Sequence, residues 1–318
     1  MIDRYLSYSQ ISAWQECKRA WEYRYPLGLR PKLRPLRFSR GSLIHRGLEY
    51  AIRNRWEDGA KHTWDDVLAD WRKEWALGED AEFEADFFDG CKRVVNGAFG
   101  EFAAHWQPIE LDGKLQVEKI QFVSLPDYYK GVMFIPDTLC VKLQEPFAGG
   151  IFSVDFKSHA KERSDMEGDV DLQGAITQYG MLQKGVNCIG SCLFQVPADA
   201  PRPPRTNKDG SLHAGDVARN ERWKPVLKQI VTHRSDELVE NIWTQAVIPL
   251  AREIHDAEAT VLRRELPPHL NYFGCQFCEY FEPCQARLKG LDESAIVKEL
   301  YSVREKRQKG GTNAEKAS

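Results

Sequence analysis

Polar and apolar positions alternate most clearly between Gly131 and Lys157, where the chain reads GVMFIPDTLCVKLQEPFAGGIFSVDFK. Side chains of a strand point to opposite faces in turn, so Ile151, Ser153, Asp155 and Lys157 share one face and Phe152, Val154 and Phe156 the other. The pattern predicts a β-hairpin over 131–157 with Gly149-Gly150 near its turn, Asp137 on its first strand and Asp155-Phe156-Lys157 on its second. Asp155 and Lys157 then lie side by side, as a carboxylate for a metal ion and an ammonium beside an attacking water would. A polar face on a half-solvated strand is the plainer reading of the same alternation. A strand is also expected over 114–125, with Glu118 on the parity of Ile120 and Phe122 and so turned toward a core or cleft, and another over 187–196.

Helical periods dominate elsewhere. Ser7 or Ser9 caps an N-terminal helix whose face holds Ile11, Trp14, Ala20, Trp21 and Tyr25. Gly41-Ser42 introduces a second, with Leu43, Ile44, Leu48 and Ile52 as its apolar positions and His45 four residues before Glu49 on one face. Helices over 64–77 and 81–106 read as a layer placed before the sheet. Residues 170–184 form another, with Leu172, Ile176, Tyr179 and Leu182 as the packing stripe and Gln173 on a different face. The stretch 197–220, rich in Pro, Gly and Asp, reads as irregular. A long helix runs from Ser235 to Glu265, and after Gly290 a short helix leads into the charged tail REKRQKGGTNAEKAS, expected to be disordered.

Length and composition then bound the picture. A chain of 318 residues with 42% hydrophobic content supports one large or two modest domains. No apolar run reaches membrane-spanning length and no signal peptide is read at the N-terminus, so a cytoplasmic protein without a membrane partner is expected. The net charge of −3 does not mark a nucleic-acid binder, but it hides a local excess. Lys18, Arg19, Arg24, Arg30, Lys32, Arg34, Arg37 and Arg40 are opposed only by Glu22, as a phosphate-contacting patch or an ordinary solvated face. The neighbouring Trp14, Trp21, Tyr23 and Tyr25 read as core, with base stacking as the alternative.

Cysteine spacing adds chemistry. Cys91, Cys140, Cys188 and Cys192 sit in apolar contexts and read as small buried hydrophobes. Cys275, Cys278 and Cys284 have ligand spacing: two thiolates from one tight turn, the third returning after the next bend. Cys17 is the best candidate for a fourth. Four thiolates suit zinc or a 4Fe-4S cluster, and the aromatic surroundings with Pro283 before Cys284 favour the cluster. Three free cysteines in a loop are the plainer alternative. A redox disulfide at Cys275–Cys278 lacks a thioredoxin-like setting.

Pro136-Asp137 followed by Asp155-Phe156-Lys157, the opening LSYSQISAWQECKRAWEYRY, the segment GSLIHRGLE, and Cys17 with the C-terminal trio occur in an order that resembles the PD-(D/E)XK nuclease superfamily. The likeness is to its RecB/AddB-like branch, with CRISPR-associated and phage-type exonucleases that carry a 4Fe-4S cluster, and it runs from residue 6 to residue 286. The resemblance implies an α/β fold: a restriction-endonuclease-like central mixed sheet flanked by helices. Residues 1–110 would be an N-terminal helical region contributing Cys17 and His45, 111–234 the nuclease core, 235–290 the C-terminal helix and iron–sulfur segment, and 291–318 a short helix and tail. His45, Asp137 and Asp155 would hold Mg2+ or Mn2+, with Glu118 in reserve for an outer-shell or additional metal role; Lys157 would orient the water and offset phosphate charge, and Gln173 would position lysine or substrate. Cys17, Cys275, Cys278 and Cys284 would ligate the 4Fe-4S cluster, structural Zn2+ being the alternative. Thr177 stands where the branch has a tyrosine, with Tyr179 two residues on, and Phe134 stands where it often has glycine.

The implied activity is metal-dependent exonuclease cleavage at single-stranded or duplex DNA ends, with 5′→3′ polarity, in recombination, repair or phage DNA processing. The chain has no GxxxxGK[ST] segment, so a helicase or recombination protein would act in trans. Two other classes compete: a DNA-binding recombination accessory protein with little nuclease activity, and a metal-stabilised protein-interaction module.

Overall fold

The computed structural model describes residues 2–32, 36–54, 63–74, 84–125, 127–159, 164–197, 204–260 and 266–303. The charged tail from residue 304, the ends of the helices expected over 64–77, 81–106 and 235–265, residues 198–203 of the irregular stretch, and Arg34 lie outside them. The chain divides into two compact units, one of residues 1–8 and 34–252, the other of residues 9–33 and 253–318. The N-terminal region expected as one piece over 1–110 is therefore divided, with His45 in the first unit and Cys17 in the second.

The first unit is α/β. Its five-stranded mixed sheet has the spatial order Lys228–His233, Cys188–Pro197, Ile151–His159, Thr138–Lys142, Trp106–Pro108. Only the pair Ile151–His159 and Cys188–Pro197 is parallel. A parallel pair needs a long crossover, and here it contains the helices Asp165–Asp169 and Leu172–Leu182.

The alternation expected at 151–157 holds. Phe152, Val154 and Phe156 are buried in a core with Leu43, Ile44, Val94, Phe102 and Phe194, supplied in part by helices Leu36–Arg53 and Glu84–His105. Each such side chain contributes about 1.5–3 kcal/mol by leaving water. A one-residue slip would forfeit all three at once, so the register that aligns Asp155 with Lys157 is held by the core behind it.

The hairpin is shorter than expected. Residues Tyr129–Phe134 belong to a separate three-stranded sheet, between Ile2–Ser7 (parallel) and Gln121–Ser124 (antiparallel). The antiparallel pairing with Ile151–His159 begins only at Thr138, opposite Val154. Pro136 lies in the break, where its missing N–H forfeits no ladder bond. The strand expected over 114–125 is likewise two pieces, Lys114–Leu115 and Gln121–Ser124, separated by a left-handed Glu118 with φ +49°. Strand Ile2–Ser7 leads straight into the N-terminal helix, which begins at Tyr8 directly after Ser7.

On helix Leu172–Leu182, Asp171 is the N-cap, its carboxylate accepting from Gly174 N at 2.9 Å; such caps stabilise a helix by about 1 kcal/mol. The buried face is Gly174, Ala175, Ile176, Thr177, Gln178, Gly180 and Met181, so only Ile176 of the expected stripe is fully buried. Tyr179 stacks on Trp243 at 4.3 Å instead. Trp243 begins a π-helical turn, Trp243–Val247, within the expected long helix.

In the second unit, Cys17 adopts an extended φ of −162° and divides the N-terminal segment into Tyr8–Glu16 and Lys18–Arg24. Strands Leu29–Pro31 and Tyr301–Val303 pair antiparallel, a strand pair without a sequence signal at either end. Trp14, Trp21 and Tyr23 are buried, so these rings belong to the core. Tyr23, Tyr280 and Tyr301 stack in sequence at 5.6 and 5.7 Å. Arg287 bridges Glu22 and Glu293, and Tyr23 Oη donates to Glu293 at 2.6 Å. Two members of the basic stretch are engaged within the chain: Arg19 is buried and donates to Leu266 O, and Lys32 donates to Lys298 O. Among the described residues no helix is long and apolar enough to cross a membrane.

Candidate metal centre

Because the Thr138–Lys142 strand stops at Thr138, Phe156 meets side chains where a neighbouring strand would otherwise continue. Its N–H donates to Asp137 Oδ2 at 2.6 Å, and its carbonyl accepts from His45 Nε2. The Thr138–Val154 pairing, extended by one residue, sets Asp137 opposite Asp155. Asp137 is thus at the strand entrance and not within the strand, yet it faces the same site. When Nε2 of His45 carries the proton for Phe156, Nδ1 keeps its lone pair, 3.6 Å from Asp137 Oδ2.

Glu118 completes the group. Its N–H donates to the carbonyl of Asp137 at 2.9 Å and Val117 bridges Thr138, so the backbone fastens this segment to the strand entrance. The left-handed turn then delivers the carboxylate: ligand atoms of His45, Glu118 and Asp137 all lie within 4.8 Å of one another. Strand parity pointed to a cleft for the wrong reason, since Ile120 and Phe122, its parity mates, are 56% and 39% exposed. The trio contains Glu118 where Asp155 was expected.

Asp155 lies beside the trio and faces Lys157. Its Oδ2 is 2.5 Å from Lys157 Nζ, and its Oδ1 accepts from Gln173 Nε2 at 2.9 Å. Gln173 Oε1 in turn accepts from Lys157 Nζ at 3.0 Å, closing a three-residue ring. The amide therefore bridges the acid and the ammonium. Glu49 pairs with Arg46 and Arg53 on the His45 helix.

The electrostatics favour a cation. Burial, and then the charges of Asp137 and Glu49, push the Glu118 carboxyl up to about 8. Burial and then Asp155 hold Asp137 well above the ordinary carboxylate range. Burial works to lower Lys157, but Asp155 and Asp137 outweigh it, and the ammonium is held above its usual value. Two crowded carboxyls that resist ionisation, beside an imidazole with a free lone pair, form an oxygen-rich donor set fitting a divalent ion such as Mg2+ or Mn2+. This is a candidate divalent-metal site.

The four cysteines with ligand spacing all lie in the second unit. Cys17, Cys275, Cys278 and Cys284 line one cavity of about 290 Å3 together with Tyr23, Tyr280 and His269. The backbone N–H of His269 donates to Cys17 Sγ at 3.3 Å, and that of Tyr280 to Cys278 Sγ at 3.4 Å. Burial, and then the neighbouring cysteines, push Cys278 up to about 11. Cys91, Cys140, Cys188 and Cys192 are buried, as their apolar contexts indicate.

A family model described as the PD-(D/E)XK nuclease superfamily matches residues 5–285. No curated protein gives a significant match to the chain.

Proposed function

The chain belongs to the PD-(D/E)XK nuclease superfamily, and from that premise we propose that it is a metal-dependent deoxyribonuclease acting on DNA ends. The observation that carries this reading is the junction of two groups at one strand end: the His45–Glu118–Asp137 trio and the Asp155–Lys157–Gln173 ring. An accessory protein with little activity would have no need for both.

His45 through Nδ1, with one oxygen each from Glu118 and Asp137, would hold Mg2+ or Mn2+, with Asp155 against Asp137 as a further carboxylate. The bound ion would polarise the phosphoryl group and make its water acidic. Lys157 presents a compact positive charge to the phosphate or water, and Gln173, bonded to both Lys157 and Asp155, holds the ammonium beside the carboxylate. Hydrolysis of DNA labelled at either the 5′ or the 3′ end tests the reading. Stepwise release of nucleotides from 5′ ends of single strands, with Mn2+ or Mg2+ and not with EDTA, is the expected result. Internal fragments alone would make it an endonuclease, and intact DNA with every metal would remove the activity.

The finer RecB/AddB-like placement rests on the cysteines. The four thiols line one cavity with Tyr23, Tyr280 and Phe281, and this aromatic lining, with Pro283 before Cys284, favours a 4Fe-4S group over structural zinc. Its role is structural, tying Cys17 to the C-terminal trio, since hydrolysis needs no electron transfer. Protein purified without oxygen is expected to be brown, with about four iron atoms per chain. A colourless protein with one zinc would reverse the assignment.

A further inference from the structure

Glu118 leads directly into a surface that the metal centre does not use. One face of the sheet formed by Ile2–Ser7, Tyr129–Phe134 and Gln121–Ser124 is core: Leu6, Val123, Val132 and Phe134 are buried. Phe134 lies against Gly180 of the Gln173 helix. On the opposite face Tyr5 and Phe122 meet across the central strand, ring centroids 4.2 Å apart and tilted by 40°. Gly131 lies between them, and a Cβ there would stand 3.2 Å from the Tyr5 ring and 2.3 Å from the Val123 carbonyl oxygen. A larger residue would push the rings apart.

A solvated sheet face ordinarily carries polar side chains. This one carries half-buried Tyr5 with the exposed rim of Phe122 and exposed Ile120 beside it, and a cation borders it. Lys130 Nζ stands 5.5 Å from the Tyr5 centroid. Aromatic rings beside an ammonium group match a nucleic-acid single strand, which offers unstacked bases and a phosphate backbone together. A duplex keeps its bases stacked on one another and cannot use such rings. Phe122 is four positions on from Glu118, so their Cα atoms are no more than about 14 Å apart.

We propose that Tyr5 and Phe122 form a stacking platform for bases of a DNA single strand whose phosphate lies at the His45–Glu118–Asp137 site. This rests on the nuclease reading and specifies its substrate as a single-stranded or frayed end. Binding of a labelled oligothymidylate in EDTA, where no hydrolysis occurs, measures the platform apart from the chemistry. Phe122→Ala is expected to weaken binding about 5- to 100-fold, Phe122→Trp to restore it, and blunt duplex binding to change little. A second measurement needs no variant: wild-type protein should bind an oligonucleotide carrying abasic residues more weakly than the intact one. Equal affinity for intact and abasic strands, or unchanged binding by Phe122→Ala, overturns the platform. Conversion of a dimer to monomers by Phe122→Ala overturns it too, by making this face a contact between copies. Phe122-dependent binding without hydrolysis in any metal would instead overturn the nuclease reading and leave the platform standing.

Discussion

Lys157→Ala is expected to lower metal-dependent DNA hydrolysis about a thousandfold, with the circular dichroism spectrum and Mn2+ binding retained. Lys157 is the cation of the Asp155–Gln173 ring, 2.5 Å from Asp155 and 3.0 Å from Gln173. The net upward shift from the two aspartates keeps it charged through the working pH range, burial notwithstanding. Its removal subtracts positive charge at the phosphate and removes no titrating base, so the residual activity should keep the wild-type pH profile. Lys157→Arg is not expected to rescue, because a planar guanidinium cannot occupy the place of a compact ammonium between two hydrogen-bond partners. Single-turnover degradation of labelled DNA measures the effect, and full activity in Lys157→Ala would remove the residue from the site.

Asp137→Asn should separate metal binding from stability by opposite signs. The ordinary pKa of Glu118 is 4.5, and in the fold it stands at about 8, with Asp137 also raised. The metal-free fold therefore holds protons that the unfolded chain releases, and these groups make it less stable as pH rises from about 4.5 to about 8. An ion must displace the same protons, so its affinity rises across that window and its binding releases protons. At pH 8 metal-free Asp137→Asn is expected to melt above metal-free wild type, since it removes one of two crowded carboxylates. At pH 5 the two should converge. The Mn2+-induced rise in Tm should nearly vanish in the variant, its affinity falling about 100-fold or more, beyond the usual effect of an outer partner. Hydrolysis falls with it. A variant less stable at pH 8 that still gains stability from Mn2+ would exclude Asp137 from the centre.

Local features of the chain are legible in its sequence, and long-range ones are not. Period two along 151–157 assigns faces by local geometry, and the faces are as read, with Phe152, Val154 and Phe156 in the core and Asp155 beside Lys157. Gln173 was separable from its packing neighbours by helical angle alone, and it does reach both Asp155 and Lys157. The approximate placement of His45 on a helix was legible for the same reason.

Glu118 was legible only as a reserve candidate for an outer-shell or additional metal role. Its place in the trio depends on a left-handed turn that no Gly or Asn announces, held by a backbone bond to Asp137 nineteen residues away. Parity assumes an unbroken strand, and the strand is broken at the functional residue. The division of 131–157 between two sheets was hidden for a related reason. Alternation continues through Pro136, whereas pairing is decided by which partner strand is near, Ile2–Ser7 before the proline and Ile151–His159 after it. The break at Cys17 and the pairing of Leu29–Pro31 with Tyr301–Val303 are likewise contacts across most of the chain's length.

By itself, then, the sequence determined what local periodicity and spacing can carry: the two faces of the 151–157 strand, the acid–lysine pair upon it, and the thiol spacing near the C-terminus. Only the tertiary structure decided which carboxylates converge. Electrostatic convergence depends on separation in space, and that separation is set where one strand stops, its neighbour continues, and the side chains of Asp137 and His45 meet the buried backbone of Phe156.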